Sequence, residues 1–406
     1  MPSEAKGRLL LLLDGLYPCF VGGGGAENQV RTLAKAFTER GVEVTVVVPM
    51  LDVGVQKKFD SLDGIAVYRV PYPKIPVFGG IILYIRLFLY LLSTKEQYDV
   101  VHAHIANHMA ATACLASRFT KRKTIVKLTG WLEIANGILS DAHQKSFVVR
   151  WMSAQFKRAS VLQAISQEIV DLLIRFEFDA DKVKLIPNAV DTNRFTATDL
   201  SQKREQRLQK NMNYPFIGVF VGRLVAEKCI DDLIQAWSRA FSELDAHLVI
   251  VGGGPLELEL KALAAQQVVS EKIHFVGGSE RVEEYLSLAS VGLLPSRFEG
   301  LSNTLLEYMA CGLPVIGSRV SGTQDLVDEK KNGLLIEPGN VDELTAALEW
   351  MHSRSEQESS QLSVNARNKV VEYAGIDSVV DQLLQVYSFA TENTLNPGVN
   401  DAVSRS

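Results

Sequence analysis

Short apolar segments alternate with amphipathic segments along most of the chain. A first series of apolar, β-branched runs occupies residues 8–13, 43–48, 65–70, 100–102, 124–128, 161–164 and 183–186. A second series occupies residues 216–221, 247–251, 273–276, 291–294, 314–317 and 334–336. Runs such as LLLLL and VTVVV are apolar at every position, so helices must cover both faces of the sheet, as in parallel sheets with right-handed crossovers. The pattern therefore predicts an α/β protein with two open, doubly wound parallel sheets.

A polar segment separates the two series of strands. Residues 196–213 (TATDLSQKREQRLQKNMN) are rich in turn formers and contain no apolar run long enough for a strand. We therefore expect one domain over residues 1–195 and a second over residues 196–375. A helical run follows at residues 376–390, and the polar, aperiodic tail at residues 391–406 is predicted to be disordered.

Another apolar stretch, residues 75–92 (IPVFGGIILYIRLFLYLL), is interrupted by Gly79, Gly80 and Arg86. It is marginal for the ~20 residues that a membrane-spanning helix needs. We expect a surface or packing helix there, with shallow insertion into one face of a bilayer as the alternative. Residues 8–14 are too short an apolar run for a secretory signal. The expected location is the cytoplasm, including the cytoplasmic face of the membrane.

The composition indicates the class of protein but not the reaction that it performs. The 406 residues are 47% hydrophobic and 22% charged, which is typical of a globular chain with large cores. The cysteines are far apart and form no CxxC pair, so neither a disulfide framework nor a thiolate zinc site is indicated. They are Cys19, Cys114, Cys229 and Cys311.

The charge is distributed unevenly between the two predicted domains. Up to Phe195 the chain has 24 basic and 18 acidic residues, a net charge of +6, and the remainder has 18 and 29, a net charge of −11. This asymmetry argues against general binding of nucleic acid. It permits an anionic partner or membrane surface to meet the first domain.

A glycine-rich loop follows the first predicted strand. Residues 21–28 read VGGGGAEN, and residues 29–37 then show helical apolar spacing. Glycines allow close backbone approach, and a helix N-terminus offers free N–H groups, so the pattern favours a phosphate ligand over a simple tight turn. A dinucleotide site is disfavoured because Glu27 stands where a third glycine is needed and Pro49–Met50 where an acidic ribose ligand is needed.

The second domain contains two carboxylates at a predicted strand end. Residues 297–316 read RFEGLSNTLLEYMACGLPVI, with Glu299 in a loop and Glu307 on the second turn of a helix capped by Ser302 or Asn303. Carboxylates suit the hydroxyls of sugar and ribose, whereas free amides at the helix start suit phosphate. Those amides belong to Leu301, Ser302 and Asn303. The alternative is a capping loop with solvated acids.

Two cations follow the first strand of the second domain. Residues 220–228 read FVGRLVAEK and place Arg223 and Lys228 in one strand-end loop. Two permanent cations there indicate a pyrophosphate ligand, although singly each is typical of an exposed loop. The carboxyl ends of parallel strands meet at one edge of a sheet, so the cationic and acidic loops are expected to lie together.

Taken in order, these segments resemble the group 1 glycosyltransferases, the retaining, nucleotide-sugar-dependent class numbered four in the sequence-based classification. The resemblance covers residues 8 to about 390 and implies the GT-B fold, with two Rossmann-like domains facing a central cleft. It rests on GGGGAEN, VHAH at 101–104, IPNAVD at 186–191, GRLVAEK, VGGGP at 251–255, and EGLSNTLLEYMACGLPVI with its E-x7-E spacing.

The resemblance also implies roles for individual residues. Arg223 and Lys228 would hold the donor diphosphate, Glu299 would contact the transferred sugar and Glu307 the ribose. Gly277 would lie near the nucleobase. From the first domain, the loop with Gly23, Gly24 and Gly25 would close on the diphosphate, with Glu27, Asn28 and Thr129 on the acceptor side. The last helix, around residues 378–387, would pack back on the first domain.

The chain departs from the family pattern at two positions. Thr129 stands where many members have a histidine, in a pattern like LHG, that is thought to touch the donor sugar, and Cys229 stands where glycine is common. His102 and His104 end the preceding strand, where core packing is the simpler role. Asp179 and Asp181 match the DxD pattern of a metal-binding motif. They follow a helix in a polar turn, so solvated side chains are the simpler interpretation.

The implied reaction is transfer of a sugar with retention, from a nucleotide-diphosphate donor to a glycan, lipid-linked or small-molecule acceptor. Cations and helix-start amides would stabilise the departing diphosphate, so no metal or other cofactor is expected. The expected partners are the nucleotide sugar and the acceptor, without nucleic acid. Alternatives are a sugar-nucleotide-binding protein that has lost catalysis, a GT-B epimerase acting on UDP-sugar, and an NAD-dependent oxidoreductase.

Overall fold

The structure is a computed structural model that describes residues 7–17, 24–51, 56–76, 78–130, 137–141, 146–210 and 212–389. The predictions made for Cys19, Gly23 and the tail at residues 391–406 fall outside these ranges. Within them, two separate sheets are formed, with strand orders β3-β4-β2-β1-β5-β6-β7-β8 and β11-β10-β9-β12-β13-β14. The prediction of two doubly wound sheets is confirmed.

The first sheet has eight strands. They are β1 Arg8–Leu12, β2 Glu43–Pro49, β3 Phe59–Leu62, β4 Ile65–Val70, β5 Val100–Ala103, β6 Lys123–Leu128, β7 Val161–Ala164 and β8 Val183–Leu185. Every neighbouring pair is parallel except β3 with β4, which is antiparallel. Sequence analysis missed β3 because FDSL has no buried position and no apolar run.

Helices cover both faces of this sheet. They are α1 Gly25–Glu39, α2 Phe78–Ser93, α3 His108–Thr120, α4 Phe147–Phe156 and α5 Gln167–Arg175. The inward face of α1 is formed by the residues that the sequence spacing predicted, Val30, Leu33, Ala34 and Phe37. Their burial fixes α1 against the sheet with its glycine-rich start at the carboxyl edge of β1.

The second sheet has six parallel strands. They are β9 Phe216–Val221, β10 Ala246–Val251, β11 Ile273–Gly277, β12 Val291–Leu294, β13 Val315–Ser318 and β14 Gly333–Ile336. The helices from this part of the chain onwards are α6 Leu200–Gln209, α7 Ile230–Ala240, α8 Glu257–Ala265, α9 Glu283–Leu286, α10 Asn303–Ala310, α11 Thr323–Leu326, α12 Val341–His352, α13 Glu356–Ala374 and α14 Ile376–Tyr387.

Helix α6 lies in the segment that the sequence suggested was turn-rich, so that interpretation was wrong for residues 200–209. Asp199 caps the helix through a capping box with Gln202. Its buried side chains are Lys203 and Arg207, which donate to the carbonyls of Ala289 and Leu288 at 2.9 and 2.8 Å. The helix escaped detection because cations, rather than apolar residues, hold it against the second sheet.

The last helix, α14, packs on the first sheet beside α1. Tyr387 donates or accepts a 2.6 Å hydrogen bond with His102 and lies 5.5 Å from the ring of Phe37. On the outer side, Arg40 binds Asp377 and Asp381, each at 2.7 Å. The chain therefore crosses from the second sheet back to the first before the described residues end.

Helix α2 has one buried and one exposed apolar face. Leu83, Leu87 and Leu91 face the core. The opposite face carries an exposed apolar stripe, formed by Phe78, Ile81, Ile85 and Leu89. The predicted helix is therefore present. It packs on the core with one face and lies at the surface with the other. None of the helices in the described part of the chain combines the length and hydropathy that crossing a bilayer requires.

The carboxyl edges of the two sheets touch through glycines. Gly130, which follows β6, lies so close to Gly300, which follows β12, that a Cβ on Gly130 would be 2.8 Å from the Cα of Gly300. A Cβ on Gly300 would in turn overlap the carbonyl oxygen of Thr129. Nearby, the hydroxyls of Ser166 and Ser321 form a buried 2.8 Å hydrogen bond between the domains. Only residues without side chains allow this approach.

We predict that Gly130→Ala separates the two domains. The new Cβ would meet Gly300, whereas Gly41→Ala is a matched control because Gly41 has a similar positive φ, +79° against +106°, and no atom within 4 Å of its Cβ position. Gly41→Ala should cost roughly 1 kcal/mol in backbone strain, and Gly130→Ala more, because its φ lies further from the left-handed region. Only Gly130→Ala should enlarge the radius of gyration measured by small-angle X-ray scattering. Equal radii for the two variants would contradict the close packing.

Candidate active site

The start of helix α10 is a cluster of free amide groups at the carboxyl edge of the second sheet. Ser302 is the N-cap, as the sequence suggested, but its hydroxyl makes no capping bond. Among the described residues, no acceptor binds the backbone N–H of Leu301, Ser302 or Asn303. Leu301 and Ser302 are buried, so bulk solvent has little access to their amides. An anion is the ligand that such a helix start attracts.

Glu299 and Lys228 form an ion pair beside this helix start. Lys228 Nζ lies 2.5 Å from Glu299 Oε1, with side-chain exposures of 23% and 10%. Arg223, from the same strand-end loop as Lys228, is exposed, and no described residue binds its guanidinium. The structure thus brings the three residues proposed as catalytic to one sheet edge, with one cation paired and one free.

The position after Lys228 explains a departure from the family pattern. Cys229 has φ +49° and ψ +46°, in the left-handed region, where it joins a short 3-10 turn to helix α7. Glycine is the residue that adopts this conformation without strain. Cys229 therefore adopts the backbone conformation that glycine would adopt in this turn. Its buried thiol points to the carbonyls of Ala226 and Glu227. Burial raises the pKa of this thiol.

Glu307 lies on the second turn of α10, as predicted, and its carboxylate is half-buried. Burial raises the pKa of this carboxyl to about 7, with the charge of Arg194 opposing and that of Glu283 adding to the shift. Arg194 itself bonds Glu283 at 2.8 Å and the carbonyl of Glu280 at 2.5 Å. The group is therefore a carboxylate held near a cation but without a hydrogen bond of its own in the described chain.

Gly277 ends β11 in an open position. Its φ is +75°, and no atom lies within 4 Å of where a Cβ would be. Its carbonyl accepts from Gly252 at 2.8 Å, which ties the two strand ends together. The space beside Gly277 is therefore open among the described residues, and its role beside a nucleobase stays a prediction.

The glycine-rich loop faces the same edge from the first domain. Gly24 is the N-cap of α1, and Gly25 begins the helix. The carboxylate of Glu27 folds over Gly15 and Gly24, in the space that a Cβ at either glycine would need. Asn28 is exposed one residue further on. Glu27 therefore lies between the end of β1 and the start of α1, and its contact with an acceptor stays a prediction.

Asn303 connects the two domains through its side chain. Its Nδ2 donates to the carbonyl of Gly25 at 2.9 Å, and its Oδ1 accepts from Gln29 at 3.1 Å and from Asn188 at 2.9 Å. Gln29 also exchanges two hydrogen bonds with the backbone of Ala189, at 2.7 and 2.9 Å. The helix start of the second domain is thereby fixed against the glycine-rich helix start of the first.

Sequence analysis missed Gln29 and Asn188 as site residues. The available signal was a polar residue at the start of the apolar face of α1, together with the asparagine of IPNAVD. Neither residue carries a charge or a metal-ligand spacing, so neither stands out without the fold. Their contribution depends on a contact between positions that are distant in the chain.

The structure also shows where the other residues considered in the sequence lie. Thr129 lies at the domain contact, with its carbonyl oxygen against Gly300, one residue from Glu299. His102 and His104 are fully buried in the first domain, and burial lowers the pKa of His102 to about 3. Asp179 caps a turn by accepting from the amide of Asp181. Within the described ranges, no three His, Cys, Asp or Glu side chains are grouped so that they could hold a metal ion.

Comparison with family models matches most of the chain. The model described as Glycosyltransferase Family 4 matches residues 23–194, and the model described as Glycosyl transferases group 1 matches residues 201–369. The first match covers the first sheet from β2 to β8, and the second covers all six strands of the second sheet. The chain belongs to this family.

Three of the similar curated proteins illustrate the range of relatives. The N-acetyl-alpha-D-glucosaminyl L-malate synthase of Bacillus anthracis is 23% identical, covering 91% of this chain and 95% of its own. The UDP-Gal:alpha-D-GlcNAc-diphosphoundecaprenol alpha-1,3-galactosyltransferase of Escherichia coli is 28% identical, over 74% of this chain and 77% of its own. The GDP-mannose-dependent alpha-(1-6)-phosphatidylinositol monomannoside mannosyltransferase of Mycolicibacterium smegmatis is 32% identical, over 63% of this chain and 67% of its own.

Solved structures share the fold. The Anabaena protein HepE (Alr3699) in complex with UDP superposes with a TM-score of 0.75 at 21% identity, covering 94% of this chain and 99% of that one. The glycosyltransferase WaaG superposes with a TM-score of 0.70 at 17% identity, covering 94% and 100%. These likenesses, with the two parallel sheets, confirm the GT-B fold expected from the sequence.

We predict that Glu307→Gln stabilises the protein more at pH 8 than at pH 5. The folded-state pKa of about 7 lies above the ordinary value of 4.5, so the wild-type free energy of unfolding falls as the pH rises through this window. The difference between variant and wild type should grow by about 2 kcal/mol between the two pH values, measured by urea denaturation. Glu243→Gln, at an exposed site, is the control, and a pH-independent difference for Glu307→Gln would contradict the assignment.

Proposed function

The chain belongs to the group 1 glycosyltransferases, and we propose that it transfers a sugar with retention from a nucleoside-diphosphate donor bound in the cleft between the two sheets. The chain is thus a glycosyltransferase, and the proposal concerns its donor, stereochemistry and acceptor. The observation that carries it is the Lys228–Glu299 ion pair beside the free amides of α10, with Arg223 exposed next to it.

These groups suit the charge that develops on the departing diphosphate. Glu299 and Lys228 form an ion pair in a partly buried place. A diphosphate that arrives at the α10 amides would accept hydrogen bonds from Lys228 and Arg223 as well. Cations and oriented amides that meet the leaving group lower the barrier because they stabilise charge that grows in the transition state.

Glu299 then has a carboxylate available for the transferred sugar. It lies at the start of the loop that leads into α10, so a sugar attached to a diphosphate at the helix start would present hydroxyls to it. An ionised carboxylate accepts such hydrogen bonds from hydroxyl donors. The reaction we propose places the acceptor on the face of the leaving group, where the departing phosphate oxygen takes the proton of the acceptor hydroxyl.

The same arrangement supports transfer without a metal ion. Arg223, Lys228 and the amides of α10 together supply the positive charge that a divalent cation supplies in other diphosphate sites. Glu307 would hold the ribose hydroxyls, and the open edge at Gly277 would hold the base. The nucleotide sugar is then the co-substrate, and we propose no further cofactor.

The acceptor we propose is a glycan or a lipid-linked saccharide. The Escherichia coli and Mycolicibacterium relatives carry diphosphoundecaprenol and phosphatidylinositol monomannoside in their names, whereas the Bacillus anthracis relative carries L-malate. The exposed apolar stripe on α2 favours the lipid-linked class, because exposed apolar side chains at helical spacing suit insertion into a bilayer surface. The net charge of +6 up to Phe195 adds attraction to an anionic, cytoplasmic leaflet.

Other functions predict different products. A sugar-nucleotide-binding protein without catalysis, which Thr129 in place of histidine suggests, would bind donor but neither transfer nor hydrolyse it. An epimerase would interconvert the sugar of a UDP-sugar without any acceptor. The close paired charges at the helix start favour the transferase.

We predict that Glu299→Ala reduces transfer by at least about 100-fold while binding of the free nucleoside diphosphate is largely retained. In the proposal Glu299 meets the sugar of the donor, and Lys228, released from its ion pair with Glu299, still meets the diphosphate. Arg223→Ala should instead weaken diphosphate binding about tenfold or more, as expected for loss of a charge-assisted hydrogen bond. Transfer is measured by product formation and the anomeric configuration by NMR, and binding by calorimetry, in the presence and absence of EDTA.

The exposed Arg239, paired with Asp342 on the surface, provides a matched control for the loss of a cation. Arg239→Ala should change neither quantity. Near-normal turnover of Glu299→Ala, diphosphate affinity unchanged in Arg223→Ala, an inverted product, or loss of activity in EDTA would each contradict the corresponding part of the proposal.

We predict that the apolar stripe binds vesicles. Phe78→Ser/Ile81→Ser/Ile85→Ser should weaken co-sedimentation with vesicles containing phosphatidylglycerol by about tenfold or more, because each buried apolar side chain contributes roughly 1 kcal/mol or more. Leu258→Ser/Val268→Ser removes two apolar side chains of the second domain that are even more exposed, and it should have no effect. Equal partitioning of the wild type with and without vesicles would exclude the membrane contact.

A further inference from the structure

A polar cluster lies at the carboxyl edge of the first sheet, next to the candidate active site. Asp14 follows β1, and Asn107 and His108 lie where β5 leads into α3. Tyr84 reaches the cluster from α2. Gly15, the neighbour of Asp14, lies under the carboxylate of Glu27, which also covers Gly24 at the start of α1. The cluster is therefore continuous with the acceptor side of the cleft.

The carboxylate of Asp14 is held in one orientation. Asn107 Nδ2 donates to its Oδ2 at 2.6 Å. Asn107 itself is fixed, because its Oδ1 accepts from the amides of Met109 and Ala110 and thereby caps α3. In the described part of the chain, the second oxygen of Asp14 has no hydrogen-bond partner, and Asp14 is exposed to the cleft. One aimed acceptor therefore remains for a ligand.

An aromatic wall stands beside this carboxylate. The rings of Tyr84 and His108 stack with centroids 5.4 Å apart and planes inclined by 13°. Tyr72 extends the wall and carries Lys74 3.7 Å above its ring. Tyr84 and His108 are half-buried, and neither the Tyr84 hydroxyl nor the His108 ring has a hydrogen-bond partner among the described residues. The wall thus offers flat apolar surface together with free polar edges.

These groups select a neutral, hydroxyl-rich ligand. Two carboxylates, Asp14 and Glu27, would repel an acidic group at this place, but both accept hydrogen bonds from hydroxyls. Aromatic faces carry partial negative charge and attract the polarised C–H groups on one face of a pyranose ring. A sugar presents both hydroxyls and such a C–H face.

We propose that Asp14, Tyr84, Asn107 and His108 form the site for the acceptor saccharide, with a pyranose ring against Tyr84 and His108 and one of its hydroxyls donating to Asp14. The inference rests on the proposed function, and it specifies the acceptor group as an uncharged sugar. Helix α2 contributes both Tyr84 and the exposed apolar stripe. A sugar head group at Tyr84 would therefore sit close to the lipid surface that the stripe contacts.

The experiment uses the full chain saturated with the nucleoside diphosphate that raises its melting temperature most, so that the donor site is filled. Saturation-transfer NMR measures binding of the methyl α- and β-glycosides of glucose, galactose, mannose and N-acetylglucosamine. L-lactate and glycerol 3-phosphate are the anionic comparators. We expect at least one glycoside, and neither anion, to bind the wild type.

Two variants test the cluster, and two controls match them. Asp14→Asn, which is nearly isosteric, and Tyr84→Ala should each weaken glycoside binding at least tenfold while the nucleotide-induced melting shift is unchanged. Asp63→Asn, at a surface ion pair, and Tyr90→Ala, on the same helix away from the cleft, should leave glycoside binding as in the wild type.

Absence of glycoside binding, binding that survives in Asp14→Asn, or preferential binding of an anion would overturn the inference. Each of these results leaves the proposed function intact if nucleotide sugars still stabilise the protein. Absence of stabilisation by every nucleotide and nucleotide sugar would instead refute the proposed function, so the two failures are distinguishable.

Discussion

The close contact between Gly130 and Gly300 is the constraint on which the site depends. It brings the carboxyl edges of two sheets within backbone distance, which no residue with a side chain would permit at these positions. The side chain of Asn303 then stabilises the contact. It donates to the carbonyl of Gly25 in the first domain and accepts from Asn188, which follows β8. Since Asn303 also begins α10, the amide cluster and the start of α1 are held in one geometry.

The two domains present different charged groups to the cleft. The second domain offers Lys228, Arg223 and free amides where a diphosphate would depart, and carboxylates where sugar and ribose hydroxyls would lie. The first domain faces them with the carboxylates of Asp14 and Glu27, which suit an uncharged hydroxyl acceptor. The exposed apolar stripe lies on the helix that carries Tyr84, so acceptor binding and surface contact share one element. In the proposal, the donor therefore lies between the two domains with its diphosphate against the second, and the acceptor meets the first domain across the same cleft.

Periodicity predicted the sheets because their strands are continuously apolar, and strand-end position predicted that Glu299 and Lys228 would meet. Helix α6 was missed because Lys203 and Arg207 replace the apolar face on which periodicity depends. Gln29 and Asn188 were missed because their importance comes from contacts with Asn303, far away in the chain. Asp14 likewise carries no local signal, since Asn107, which orients it, is 93 residues away. A pattern within one segment can be recognised from the sequence. Polar contacts between distant segments can be recognised only when the fold is known.

The central claim is that one nucleotide-sugar site is built from both domains. Hydrogen exchange, measured by mass spectrometry with and without a nucleotide sugar that stabilises the protein, tests it most directly. We expect slower exchange in three separate segments, at residues 24–30, 223–228 and 299–307, because donor binding covers the amides of α10 and tightens the contact with α1. Protection confined to the second domain, or equal protection by NAD, would contradict the account.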